Sequence, residues 1–160
     1  MYERILLATD ETRESLTALR EGALLAKALG AKVFLLVVVD QGAGVLMAAG
    51  VHPVQHASGA QSLLDSGLDR LRRLGVSASG AAVVGEPALE IGAAATRFVA
   101  DLVVVGHRRR PLWERWWSGK SGAYLVDHVA CSVMVARNRV SDEEFEARLE
   151  RVEPDLTPSH

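Results

Sequence analysis

Leu102-Val103-Val104-Val105 is an unbroken aliphatic run that ends in Gly106, and it narrows the possible folds more than any other feature of the chain. A strand with one wet face alternates apolar and polar residues, so an unbroken run fits a parallel sheet covered on both sides. Ile5 to Ala8 and the stretch from Lys32 to Asp40 repeat the pattern, the second rich in β-branched residues. Between such runs the period changes to that of a helix. Leu16, Leu19, Ala23, Leu24, Ala26 and Leu29 lead to Gly30, and Leu64, Leu68, Leu71 and Leu74 lead to Gly75. Asp65, Asp69, Arg70, Arg72 and Arg73 fall on the wetter side of that second helix, read from Gln61 to Leu74 after a glycine- and alanine-rich loop from Gln41 to Ser58.

Val76 to Val84 is a weaker strand, rich in alanine and serine, but the turn Gly85-Glu86-Pro87 and the helical spacing from Ala88 to Val99 fit a further crossover. A helix from Ala123 to Val129 and a strand from Ser132 to Arg137 complete the series. The order β-α-β-α-β-α-β-α-β predicts a single α/β domain: a five-stranded, mostly parallel sheet with helices on both faces, joined by right-handed crossovers. Ser141 to Arg151 opens with a serine cap and an acidic first turn, which predicts a short helix before a frayed terminus.

A chain of 160 residues, 49% hydrophobic and 24% charged, suits one domain with a substantial core. A net charge of -2 argues against indiscriminate binding to nucleic acid or membranes, although Arg108, Arg109, Arg110, Arg115 and Lys120 form a local basic cluster. The single cysteine, Cys131, excludes an intramolecular disulfide and a cysteine-rich zinc site; its apolar neighbours suggest a small core residue. No signal-peptide pattern precedes Arg4 and no apolar run is long enough to span a bilayer, so a cytoplasmic protein is expected.

Ligands of open α/β sheets bind beyond the carboxyl ends of the strands, which directs attention to Gly106 and the segment after it. There Ser118-Gly119-Lys120-Ser121 precedes the last predicted helix, where free N–H groups and the helix dipole favour phosphate. Two familiar phosphate motifs do not fit. A Walker A loop needs a glycine where Glu114 stands, and the segment from Gly106 to Pro111 lacks the later glycines of a dinucleotide fingerprint.

The strand ending in Asp10, the strand ending in Val39-Asp40, the turn Val84-Gly85-Glu86-Pro87 and the block Asp101–Arg137 together resemble the universal stress protein family. The resemblance covers nearly all of residues 1–137, leaving 138–160 as a C-terminal helix and flexible tail. It implies a Rossmann-like fold of the adenine nucleotide alpha hydrolase type, binding of ATP with Mg2+, and a homodimer paired through the last strand. ATP-binding members look like Gly-x-x-Gly, nine residues, then Gly and Ser or Thr. Gly106 and Gly119 hold the outer glycine positions here, while Arg109 replaces the middle glycine and Lys120 the hydroxyl residue. Arginine supplies neither positive φ nor close backbone approach, whereas Lys120 exchanges a hydroxyl for an ammonium at a helix start.

The resemblance implies that Asp10 contacts the nucleoside and that Thr9 and Val39 border the adenine. The ordinary alternatives are a helix-capping carboxylate and strand packing. The basic cluster reads as an anion contact or a solvated loop, and His107 as a ligand neighbour or a loop histidine. Trp113, Trp116 and Trp117 suit packing or a dimer contact better than base stacking. His52 and His56 have ligand spacing but lack a partner ligand, so no metal site is assigned. No catalytic constellation is assigned either. The leading expectation is a stress or signalling module that binds ATP or a related phosphorylated nucleotide through Thr9, Asp10, Val39, Gly106, His107, Arg109, Gly119, Lys120 and Ser121. The alternatives are a dimeric protein-interaction module without nucleotide, whose partner the sequence does not name, and slow nucleotide hydrolysis.

Overall fold

The computed structural model describes residues 1–10, 16–40, 53–106, 125–137 and 139–150. In these segments the chain forms strands β1 (Arg4–Asp10), β2 (Lys32–Asp40), β3 (Ala78–Gly85), β4 (Leu102–Gly106) and β5 (Ser132–Ala136). Helix α1 (Leu16–Leu29) joins β1 to β2, α2 (Pro53–Arg73) precedes β3, α3 (Pro87–Phe98) joins β3 to β4, α4 (Leu125–His128) precedes β5, and α5 (Asp142–Glu150) follows it.

The strands lie in the order β3-β2-β1-β4-β5, and all four pairings are parallel. Alternation along each strand sends side chains to two apolar layers. Ile5, Leu7, Val33, Leu35, Val37 and Val104 face α1 and α2, where Leu19, Ala23, Leu64 and Leu71 meet them. Leu6, Ala8, Leu36, Val38, Val103 and Val105 face Ile91, Ala94 and Ala95 of α3 and Leu125 of α4. Both sheet faces are thus dry, which is why the central strands carry unbroken apolar runs.

Helix ends follow local chemistry. Gly30 and Gly75 take φ of +66° and +74°, the left-handed turn that ends a helix and that a residue without Cβ adopts at least cost. Glu86 caps α3, its carboxylate accepting from Leu89 N–H at 3.0 Å, and Pro87 fills the first helical turn. Helix α5 opens with a reciprocal capping box: Ser141 Oγ accepts from Glu144 N–H at 3.1 Å and Glu144 Oε2 accepts from Ser141 N–H at 3.1 Å.

Several details depart from the sequence reading. The loop expected to run to Ser58 gives way to helix at Pro53, because proline is tolerated in a first turn and the early residues of α2 carry no leucine stripe to advertise it. The weak third strand exists, displaced slightly to Ala78–Gly85. Cys131 is half-buried and packs at the margin of the α3 layer, so it is not a full core residue; it lies just before edge strand β5. Arg70, placed on the wet side of its helix, is largely covered because α5 lies over it.

Candidate functional site

The sheet reverses its direction of growth at β1. Helix α1 carries the chain from β1 to β2 across one face, whereas α3 brings it to β4, on the other side of β1, across the opposite face. The crevice beyond the carboxyl ends of β1 and β4 is therefore a topological switch point, the usual ligand position in an open α/β sheet.

Three of the candidates read from sequence end the two strands that flank it, and a fourth lies one strand away on the same rim. Thr9 and Asp10 end β1, Val39 lies one residue from the end of β2, and Gly106 ends β4. Register fixes their relation: Asp10 stands beside Val38, Val39 beside Val84 of β3, and Gly106 beside Ala136 of β5. Thr9 and Val39 are buried. Val39 belongs to the α1–α2 layer, and by alternation Thr9 shares the face of Ile5 and Leu7 while Asp10 points to the α3 side. A ligand at the crevice thus meets a buried hydroxyl and an aliphatic wall on one face and a half-buried carboxylate on the other. His107, Arg109, Gly119, Lys120 and Ser121 lie outside the described residues, as do the other arginines of the basic cluster, the three tryptophans and His52.

The same edge includes residues that the sequence reading placed in matching segments but not in the site. Val84 is 55% exposed at the end of β3, and Arg137 is exposed just beyond β5. Only the parallel register, which brings all five strand ends to one rim, marks them. His128 closes α4 on the far side of α3, where it helps line a shallow groove of about 470 Å³ with Leu89, Glu90, Gly92, Ala93, Thr96 and Arg97. That groove includes none of the strand-end residues. Among the described residues no group of three or more His, Cys, Asp or Glu side chains is placed to hold a metal ion. Burial and, secondarily, the Asp101 carboxylate push the Cys131 thiol above its ordinary pKa, which disfavours the nucleophilic thiolate at neutral pH.

The model of the Universal stress protein family matches residues 1–137. The chain belongs to this family. Solved structures share its universal stress protein fold. One is a universal stress protein family member from Burkholderia pseudomallei, 25% identical, with a TM-score of 0.60 over 84% of this chain and 95% of that one. Another is the Archaeoglobus fulgidus universal stress protein in complex with dAMP, 21% identical, with a TM-score of 0.59 over 85% and 98% of the two chains. A third is an Arabidopsis thaliana family protein with AMP bound, also 21% identical, with a TM-score of 0.59 over 88% and 94%. No curated protein matches the chain. No described helix is long and apolar enough to cross a membrane.

Proposed function

We propose that this universal stress protein binds an adenine nucleotide, ATP or a close relative, at the β1–β4 crevice and serves as a stress or signalling sensor in the cytoplasm. The observation that supports the reading is that Thr9, Asp10 and Gly106 end the two strands that flank the switch point, with Val39 on the neighbouring strand β2 at the same rim. In this assignment Asp10 accepts hydrogen bonds from the nucleoside, Thr9 and Val39 border the base, and Gly106 lets the phosphates approach the backbone. The same assignment gives His107, Arg109, Gly119, Lys120 and Ser121 to the phosphates, with Lys120 supplying positive charge where ATP-binding members have a hydroxyl residue. A bound Mg2+ would share that charge. Output would come from binding: a ligand bridging β1 and the segment after β4 favours one arrangement of the rim, which a partner protein then reads.

Isothermal titration of ligand-stripped protein with Mg-ATP, repeated with AMP, tests the assignment. Saturable ATP binding that weakens with AMP is expected, and Asp10→Ala should weaken it roughly 10–100-fold, the loss of charge-assisted hydrogen bonds. Absence of heat with either nucleotide would overturn it. The second reading, a nucleotide-free interaction module, is favoured by Arg109 and Lys120, which replace two motif residues. Under either reading a homodimer would form by antiparallel pairing of β5, which lies at the sheet margin.

A further inference from the structure

Helix α3 divides its residues between two arcs. Ala88, Ile91, Ala94 and Ala95 are buried against the sheet, while Leu89, Ala93, Thr96 and Arg97 are exposed on the outer side. At about 100° per residue the outer arc centres on Ala93, with Leu89 and Thr96 on one flank and Glu90 and Arg97 on the other. These residues line the shallow groove that His128 borders, and only Gly92 and Ala93 stand at its middle. Leu89 leaves 51% of its surface in water. Among the described residues, neither Glu90 nor Arg97 has an ion-pair partner. They lie about 10 Å apart along the helix axis, too far to pair directly with each other. Glu90 is held at its end of the helix: a Cβ on Gly85 would stand 2.5 Å from Glu90 Oε1, so the side chain lies against bare backbone at the end of β3.

This face is complementary to itself. A second copy of α3, turned antiparallel about a two-fold axis between Ala93 and Ala94, sets its Arg97 opposite Glu90 and its Glu90 opposite Arg97, both pairs on one flank. On the other flank each Leu89 meets Thr96 of the other copy. Ala93 meets Ala93 at the axis, where the small side chains let the helices approach to about 8 Å. A parallel pair in the same register would set Glu90 beside Glu90 and Arg97 beside Arg97, so charge selects the antiparallel arrangement, as do the helix dipoles.

We propose that the outer face of α3 is a self-association surface, taking α3 of a second copy of this chain in an antiparallel two-fold contact closed by two Glu90–Arg97 pairs. No residue of the face belongs to β5 or to the nucleotide crevice, so the contact forms whether or not the β5 strands pair and whether or not nucleotide binds. A helix of 12 residues spans about 18 Å, short of a standard interface, so the association is weak and reversible, with a Kd on the order of 100 µM.

Cross-linking reads the symmetry axis. With Cys131→Ser removing the native thiol, Ala93→Cys should form covalent dimers under mild oxidation at least about tenfold faster than Ser66→Cys, a control on the exposed side of α2, because only thiols at the axis come within disulfide reach. Equal rates would overturn the proposal. Sedimentation velocity of the full-length chain, up to about 0.5 mM, reads the charge pairs. Association should weaken at least about tenfold in Arg97→Glu and in Glu90→Lys, since each change gathers like charges at both ends of the contact. Mixing the two variants should restore it, because opposite charges then meet at both ends, a rescue that a loss of folding would not give. Arg97 is exposed, so its variant keeps the fold even if Glu90→Lys does not. No association at about 0.5 mM, or association unchanged by Arg97→Glu, would overturn the proposal, the latter leaving the contact to β5.

Discussion

Val99 is the clearest case of local cost in the chain. It ends α3 at φ 54° and ψ 50°, a left-handed conformation that a β-branched residue adopts only under strain. The hydrogen bond from Ala100 N–H to the Ala95 carbonyl, 2.8 Å, closes the cap around it. Because the side chain is 69% exposed, replacing it removes little packing. Val99→Gly should therefore stabilise the protein by about 1 kcal/mol, the relieved strain exceeding the entropy glycine loses on folding, and should raise Tm by roughly 2–4 °C in a calorimetric scan. An unchanged or lower Tm would show that the cap is held without strain.

At the level of elements, close approach governs α3 and α4. A Cβ on Gly92 would lie 2.6 Å from the His128 carbonyl oxygen and 2.9 Å from the His128 Cβ, and the first of these contacts is backbone that cannot swing aside. Gly92→Ala should force the helices apart and cost about 1–3 kcal/mol, read as a lower urea midpoint at unchanged slope. A wild-type midpoint would mean that α4 shifts freely. The sequence advertised most of these elements because burial on both faces leaves continuous aliphatic runs, as in Val33–Val39 and Leu102–Val105. It concealed the start of α2, where Pro53 reads as a loop residue, and it gave no sign that Arg70 would be covered, since that depends on where a distant helix docks. The candidate site was legible only in part. Strand ends announce themselves through Asp10 and Gly106, whereas the contribution of Val84 and Arg137 to the same rim follows from register, a property of pairing that no single segment carries.

For the molecule as a whole, the end of the sheet opposite the crevice is tied by Asp101. Its carboxylate accepts from Glu3 N–H at 2.7 Å and from Arg4 N–H at 3.2 Å, while Arg4 donates through Nε to the Phe98 carbonyl at 2.6 Å and stacks on the Phe98 ring. Asp101→Ala should leave two donors without their acceptor and lower global stability by about 1–3 kcal/mol in urea denaturation, with Asp101→Asn recovering part of the loss. Full stability in the alanine variant would mean that water replaces the carboxylate without cost. The strand order also sets a timetable. Strand β1, the first to be made, sits in the middle of the sheet, with Ile5 paired to Val33 on one side and to Leu102 on the other. On the ribosome its second edge waits for a partner nearly a hundred residues downstream, roughly 5–20 s at ~5–20 residues per second. Throughout that interval the nascent chain holds an apolar strand with one open side, so synthesis, more than the finished fold, is where this protein is most exposed to mispairing and most in need of a chaperone.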